Sequence, residues 1–378
     1  MLYRTLFTLY LLLYFIRYTF PGEEIFYAFS LVVGLCFIPY ALKYKISISL
    51  IGAITISYAL VCFGSHDRDI TSYISLYILA ISNISIFFYL YFIIINKRFQ
   101  DLKSIKDNVF LVGIVAFTLI LIMELKVGGL VKIDHVNLFG KNVNRNSIHP
   151  ITFLFVFIYS LISMILMEKK SKSEHIFFLL AVVILFLSNS RIAQAASLII
   201  LVWYIFLYYP LRWKYLIFFS SIILLIVSLF FIDYSTLTER TNASSENSGL
   251  NSSRFVMWGC YYTKFEISQL LFGLHESGND GCAYLPQLGS KNPHNSLIWS
   301  MSVYGFITIF IVIFLIKNLI TSLYKKQLSF SLLLICYMLV MNFERSYILS
   351  PLEIPLLLFI FIPSLISKLN FSSNTRLN

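Results

Sequence analysis

The sequence is dominated by apolar runs, and this feature most constrains what the chain can fold into. A membrane-spanning helix needs about 20 mostly apolar residues. Only 12% of the 378 residues are charged and 58% are hydrophobic, whereas soluble proteins are about one quarter charged. Lipid is therefore the solvent for most of the chain. Runs near this length lie at residues 3–20, 25–42, 47–64, 74–95, 108–124, 150–167, 175–189, 193–209, 215–232, 295–316, 328–342 and 350–367. They predict an all-α, polytopic transmembrane protein of about 12 helices.

The charges between the runs predict how the chain is oriented. Cytoplasmic loops of membrane proteins carry an excess of Lys and Arg. With the N-terminus inside, every inside segment holds at least one cation, whereas the short outside connections hold single arginines. Both termini are therefore expected in the cytoplasm. The net charge of +11 follows from this topology, and no nucleic-acid motif accompanies it. Residues 3–20 lack a small-residue cleavage site, so we expect a retained first helix.

One polar segment, residues 233–293, interrupts the pattern and is predicted to lie outside the cytoplasm. It starts with a stretch rich in Ser, Asn and Gly. Phe255, Trp258 and Tyr262 then recur at three- and four-residue spacing, which indicates an amphipathic helix at the membrane face over 254–272. Three regions result: helices 1–9 in residues 1–232, the loop 233–293, and helices 10–12 with a tail in 294–378.

The five cysteines do not form a metal-binding motif, because none belongs to a CxxC pair. Cys36, Cys62 and Cys336 lie in apolar runs and are expected to be small core residues. Cys260 and Cys282 lie in the long loop, where they form a disulfide if the loop faces an oxidising periplasm or remain two free thiols. No metal site is expected elsewhere in the sequence.

Two arginines are candidates for binding an anion. Arg191 lies in FLSNSRIAQAA at the junction of two apolar runs, and a cation at membrane depth normally has a partner or a function. Its guanidinium is suited to a diphosphate, although an interface anchor that reaches lipid phosphates is the alternative. Arg254 opens the amphipathic stretch and is either a second phosphate ligand or a cation over anionic headgroups.

Three more polar residues lie where a loop meets an apolar run. His294, in KNPHNSLIW, is suited to general-base catalysis near neutral pH, but a structural or solvated histidine is the simpler interpretation. Asn295, the next residue, is suited to capping the following helix. Arg145 lies in NVNRNSIHP, a cluster that either binds sugar hydroxyls or phosphate or caps the sixth helix.

Taken together, the motifs between residues 188 and 306 resemble those of the O-antigen ligase / O-antigen polymerase superfamily of bacterial inner membranes. The residues before 140 match that family in hydropathy alone. The similar segments are SNSRIA with Arg191, SRFVMW with Arg254 and Trp258, LLFGLHESG with Gly273 and Gly278, and PHNSLIWSMSVYGFIT with His294, Asn295 and Gly305.

The resemblance implies a GT-C-like helical fold, similar to lipid-linked glycosyltransferases, with a periplasmic active site. It implies an enzyme that transfers a glycan from undecaprenyl diphosphate to lipid A–core during lipopolysaccharide assembly. Arg191 and Arg254 would hold the donor diphosphate without a metal ion or cofactor, and His294 would act on the acceptor hydroxyl with inversion. Arg145, Trp258 and Asn295 would bind substrate.

The sequence leaves other functions open. A polymerase that joins lipid-linked repeat units shares the donor and the fold, but one dominant outside loop favours the ligase. A ligase that glycosylates proteins is a third option. A transporter of lipid-linked sugars is the alternative from another class, yet internal repeats and broken midplane helices are missing apart from Gly34 and Pro39 in the second run.

Overall fold

The computed structural model describes most of the predicted helices but not the long polar loop. The described residues are 2–19, 23–64, 70–127, 136–138, 141–143, 145–166, 172–187, 191–208, 297–298, 300–301, 305–343 and 353–373. The predicted run 215–232, the loop 233–293 and its amphipathic helix 254–272 lie outside these residues. The boundaries proposed at residues 233 and 293 therefore stay predictions.

Within the described residues, eleven α-helices follow eleven of the predicted runs. They are α1 (Leu2–Thr19), α2 (Glu23–Ala41), α3 (Lys45–Gly64), α4 (Ile70–Ile95), α5 (Phe99–Val127), α6 (Arg145–Leu166), α7 (Lys172–Leu187), α8 (Arg191–Tyr208), α9 (Phe306–Tyr324), α10 (Leu328–Phe343) and α11 (Ile354–Ser373). Three described stretches, in α4, α5 and α9, are both long and apolar enough to cross a bilayer, and the other helices contribute apolar stretches of 10–17 residues. This architecture is that of a multi-pass membrane protein.

A short β-hairpin departs from the all-α prediction. Strands β1 (Val136–Leu138) and β2 (Lys141–Val143) pair antiparallel, with Val136 opposite Val143. The hairpin lies in the polar segment between α5 and α6, where the chain lacks the apolar length that a spanning helix needs. Backbone groups outside a helix still require partners, and the paired strands satisfy them. The fold is helical with this one small addition among the described elements.

Helix α4 lies at the centre of the bundle and α9 at its edge. Of the apolar stretch of α4, 72% is buried inside the protein, compared with 33% of that of α9. The most extensive packing joins α4 to α2. In the C-terminal half of α4, Phe87 and Phe88 pack against Phe361 of α11, with ring centroids 5.1 and 6.1 Å apart. Helix α9 therefore exposes most of its apolar surface.

Polar contacts between helix ends agree with the predicted alternation of directions. Near the starts of α1 and α5, Arg4 lies 3.8 Å from Asp101. Lys106 near the start of α5 lies 3.3 Å from Glu174 near the start of α7. Towards the end of α1, the Tyr14 hydroxyl donates a hydrogen bond to Glu353, which immediately precedes α11. The starts of α1, α5 and α7 thus share one face, and the end of α1 shares the other with the start of α11.

Candidate active site

Arg191 is the first residue of α8, and a hydrogen bond from the first turn of that helix joins it to α7. The Gln194 side chain donates a hydrogen bond from Nε2 to the Phe186 carbonyl, over 3.2 Å. Phe186 belongs to the last turn of α7, whose carbonyl groups have no partner within their own helix. Gln194 thereby satisfies one of them and joins α7 to α8. The backbone that carries Arg191 is held in a defined position.

The first half of α8 packs closely on α10 through small side chains. Ala193, Ala196 and Ser197 are fully buried. The Cys336 thiol of α10 donates to the Ala196 carbonyl, with 3.6 Å between sulfur and oxygen. Small residues allow helix backbones to approach closely in a membrane. Cys336 is thus a buried core residue, as predicted, while Cys36 of α2 is a half-buried free thiol.

Arg145 is the first residue of α6, directly after the β-hairpin, whose second strand contacts α1. Helix α7 joins α6 to α8: the Phe178 ring lies 5.7 Å from that of Tyr159 and 5.5 Å from that of Trp203. Since α7 runs opposite to both neighbours, α6 and α8 begin on the same membrane face. Helix N-termini carry a partial positive charge and free N–H groups, which favour anions. The starts of α6 and α8 therefore make this face attractive to a negatively charged ligand.

Gly305 forms a turn that separates the segment after His294 from α9. Residues 297–298 and 300–301 are helical, and α9 starts only at Phe306, so the predicted run 295–316 is divided. Gly305 has φ 53° and ψ −124°, a combination that side chains with a Cβ rarely adopt. Its N–H donates to the Met301 carbonyl over 3.0 Å. Gly305, which belongs to the family-like segment PHNSLIWSMSVYGFIT, is thus required for the backbone conformation of this turn.

The sequence-based reasoning missed a buried polar cluster on the same face as the starts of α6 and α8. Glu353 is 3% exposed and accepts the hydrogen bond from Tyr14. It also lies within electrostatic range of Tyr337. One turn earlier in α1, the Tyr10 hydroxyl donates to Asn83 Oδ1 over 2.5 Å. The sequence did contain a signal for this cluster, since Glu353 is the single carboxylate in the twelfth apolar run. A charge at membrane depth needs a partner, so Glu353 is as unusual in its run as Arg191 is at the junction of two runs.

The structure places two of the six predicted site residues, both at helix starts: Arg191 and Arg145. Their side chains are not described. The other four, Arg254, Trp258, His294 and Asn295, lie outside the described residues, as do Cys260 and Cys282. Within the ranges that are described, no group of three or more His, Cys, Asp or Glu side chains is arranged to hold a metal ion. The meeting of Arg191, Arg254 and His294 at one site stays a prediction.

Comparison with protein families adds an independent observation to this geometry. Residues 176–313 match the family model described as O-antigen ligase. Residues 176–313 are therefore similar to an O-antigen ligase domain. This confirms the resemblance to the O-antigen ligase superfamily, and the match spans α7, α8, the long loop and the first part of α9. It covers somewhat more than a third of the chain. Comparison with curated proteins and with solved structures gave no significant match.

Proposed function

We propose that this protein is an O-antigen ligase of a bacterial inner membrane, with its active site facing the periplasm. It would transfer a glycan from undecaprenyl diphosphate to lipid A–core. The observation that carries the proposal is the match to the O-antigen ligase family over residues 176–313, because this span contains Arg191, Arg254 and His294. The multi-pass helical architecture supports it, since both substrates are anchored in lipid. In this proposal residues 233–293 form the periplasmic loop between the two groups of helices.

The donor diphosphate would be held by positive charge alone. Glycosyl transfer releases a diphosphate, so negative charge grows on the leaving oxygen in the transition state. Arg191 and Arg254 would stabilise that charge with their guanidinium groups. The N-terminus of α8, which begins at Arg191, adds the favourable end of a helix dipole. Two arginines and a helix dipole together supply the positive charge that a divalent cation supplies in other transferases.

His294 would act on the acceptor. In the proposed step the acceptor hydroxyl oxygen attacks the anomeric carbon of the donor sugar. The bond between that carbon and the diphosphate oxygen breaks, and undecaprenyl diphosphate leaves with the electron pair. His294 takes the hydroxyl proton as general base. A single displacement of this kind inverts the anomeric centre. Arg145, Trp258 and Asn295 are proposed to bind the sugars at this face.

The proposal is tested with full-length protein reconstituted in vesicles, supplied with lipid-linked glycan and purified lipid A–core. Arg191→Ala, Arg254→Ala and His294→Ala are each expected to lower the transfer rate by about 10²–10³-fold. Arg191→Lys is also expected to lose activity, because an ammonium group cannot make the bidentate hydrogen bonds that a guanidinium makes to a phosphate. Lys326→Gln, an exposed cation at the opposite membrane face, is the matched control. Full activity in His294→Ala would remove the base from the mechanism.

The same assay separates the ligase from the polymerase and from a transporter. Offered lipid-linked repeat units without lipid A–core, a polymerase would lengthen the lipid-linked chains, whereas a ligase would leave them unchanged. A transporter would move the donor across the bilayer without forming any glycosidic bond. Glycan attached to lipid A–core, formed without added metal ion and with inverted anomeric configuration, is the result that the proposal requires.

A further inference from the structure

A groove of about 560 Å³ lies between α3, α9 and α11, away from the helix starts that carry the candidate active site. Its walls are mostly apolar and include Leu50 and Ala53 of α3, Phe310 and Phe314 of α9, and Leu357 and Ile360 of α11. The residues of α9 and its C-cap that line the groove run from Ile307 to Lys325, a rise of about 27 Å at about 1.5 Å per residue. The groove is therefore almost as long as the hydrocarbon core of a bilayer, which is about 30 Å thick.

The groove is basic at one end only. Lys317 and Lys325 line it near the C-terminal end of α9. The N-terminal turn of α3, represented by Ile46, lies at the same end and adds the partial positive charge of a helix start. The positive-inside rule predicts this end to be cytoplasmic. An apolar channel that ends in two cations matches the shape and charge of an anionic lipid.

The two lysines lack an acidic partner in the described part of the protein. The groove lining contains no Asp or Glu among the described residues. The ion pairs Arg4–Asp101, Arg98–Asp101 and Lys106–Glu174 involve neither lysine. Lys317 lies two turns before the end of α9, over the ring of Phe314 at 5.9 Å. A cation at this depth normally requires a counter-charge, and a lipid phosphate is the one that the bilayer supplies.

We propose that this groove binds an anionic phospholipid of the leaflet at the C-terminal end of α9. Its phosphate contacts Lys317 and Lys325, and an acyl chain occupies the apolar channel between α3, α9 and α11. Basic pockets between transmembrane helices are known to bind such headgroups. The lipid-linked donor of the proposed reaction is a poor fit, because its diphosphate belongs at the opposite face, where Arg191 begins α8.

Native mass spectrometry of the purified full-length protein tests the site, with phosphatidylglycerol or phosphatidylcholine added as the probe. Phosphatidylglycerol is expected to remain bound to the wild type in preference to phosphatidylcholine. Its affinity should fall about five-fold for each of Lys317→Gln and Lys325→Gln, equivalent to about 1 kcal/mol per lysine. The matched control is Lys326→Gln, which removes the same charge at the same end from a residue that does not line the groove.

A second variant tests the apolar channel independently of charge. Ala53→Phe adds apolar volume inside the groove and should reduce phosphatidylglycerol retention while both lysines remain. Equal retention of the two lipids by the wild type would overturn the proposal, as would equal losses in Lys325→Gln and Lys326→Gln. Displacement of phosphatidylglycerol by undecaprenyl phosphate at matched concentration would also overturn it, in favour of a polyprenyl site. Because transfer activity is not the readout, failure here leaves the proposed glycosyl transfer untouched.

Discussion

Two ion pairs that involve residues of α5 differ in burial, and burial rather than distance is expected to decide what each contributes to stability. Arg98 and Asp101 approach to 2.5 Å, but 51% of the Arg98 side chain is exposed. Exposed pairs contribute about 0–1 kcal/mol. Lys106 and Glu174 are 3.3 Å apart, and each side chain is only 7% exposed. The Tyr159 side chain also lies near Glu174. Removing one member of the buried pair leaves a charge without a partner in an apolar region.

We therefore predict opposite outcomes for single and double replacement of the buried pair. Glu174→Leu or Lys106→Met alone should lower the free energy of unfolding by about 3–5 kcal/mol, and the double variant should recover most of that loss. Unfolding of the purified protein in detergent measures each change. Arg98→Met, in the exposed pair beside the same helix, is the control and should change stability by less than about 1 kcal/mol. A double variant as unstable as the two losses combined would contradict the prediction.

Asn318 of α9 compensates for a proline in α11. Pro363 has no N–H, so the Phe359 carbonyl lacks its usual partner within the helix. The Asn318 side chain donates from Nδ2 to the Phe359 carbonyl over 2.9 Å and to the Ile360 carbonyl over 2.8 Å. In a bilayer a backbone carbonyl has no water to bind, so an unpaired one is costly. This pair of hydrogen bonds therefore joins α9 to α11.

A double-mutant cycle tests this compensation. Asn318→Leu should lower the free energy of unfolding by about 1–3 kcal/mol, because it leaves the freed carbonyl unsatisfied. The same substitution in a Pro363→Ala background should have a smaller effect, since the introduced alanine would supply the missing N–H to the Phe359 carbonyl. Thermal unfolding of the four proteins in one detergent gives the coupling energy. Equal losses in the two backgrounds would show that Asn318 does not act through the proline.

At the residue scale, sequence patterns identify single unusual residues but not their partners. Arg191 stands out because it is a charged residue between two apolar runs, and the structure places it at the start of α8. The pairing of Lys106 with Glu174, or of Tyr14 with Glu353, depends on which helices are neighbours. Hydropathy determines where helices lie along the chain, yet it does not determine which ones pack together. These contacts therefore required the three-dimensional structure.

At the scale of the helices, the residues at which helices end were less predictable than the positions of the helices along the chain. The reason is that residues other than glycine form the turns. After α4 and after α9, Lys97 and Lys326 adopt left-handed backbone conformations, with φ of 53° and 56°. Arg98 and Gln327 then donate back to the Ile93 and Ser322 carbonyls. These bonds close each helix in the Schellman pattern that glycine usually forms. Because these turns contain no glycine, the sequence does not mark where the two helices end. Their lysines agree instead with the excess of cations expected in cytoplasmic loops.

Close packing of α2 on α4 depends on a glycine at one position. A Cβ at Gly34 would lie 2.6 Å from Ser82 Oγ and 3.2 Å from the Ser82 Cα. That hydroxyl donates to the Ser30 carbonyl of α2 and to the Ile78 carbonyl of its own helix. Gly34 lies in a continuous helix, which extends from Glu23 to Ala41 with Pro39 inside. Its role is to let two helices approach, rather than to break α2.

Two glycine-to-alanine substitutions in consecutive helices are predicted to act in opposite directions. Gly34→Ala should destabilise the protein by about 1–3 kcal/mol, because it forces α2 and α4 apart. Gly52→Ala in α3 should stabilise it by about 0.5–1 kcal/mol, since nothing lies within 4 Å of the added Cβ and alanine favours helix. Unfolding in detergent compares the two. Equal changes of one sign would show that close packing of α2 and α4 is not what requires Gly34.

At the scale of the whole molecule, the sequence predicted the helical membrane fold and the similarity to the O-antigen ligase family, but the assembled active site remains a proposal. Three arguments made the fold predictable: apolar length, alternating charge and motif order. The site is harder because Arg254 lies in the long polar segment and His294 directly follows it, and no strong periodic pattern in that segment extends beyond residues 254–272. Hydrophobic periodicity determines regular elements, while the path of a loop depends on contacts distant in sequence.

The direction of each helix leads to a final prediction about the long loop. Tyr14 and Glu353 place the start of α11 on the face where α1 ends, so α9 begins on that face and α8 ends on the other. We therefore expect an odd number of crossings between Tyr208 and Gly305, as the single run 215–232 provides. In a chain without its native cysteines, a membrane-impermeant maleimide should label Ser252→Cys in spheroplasts, and Lys326→Cys only after permeabilisation. Labelling of Ser252→Cys only after permeabilisation would mean that residues 215–232 do not cross, and would place the loop of Arg254 on the face opposite Arg191.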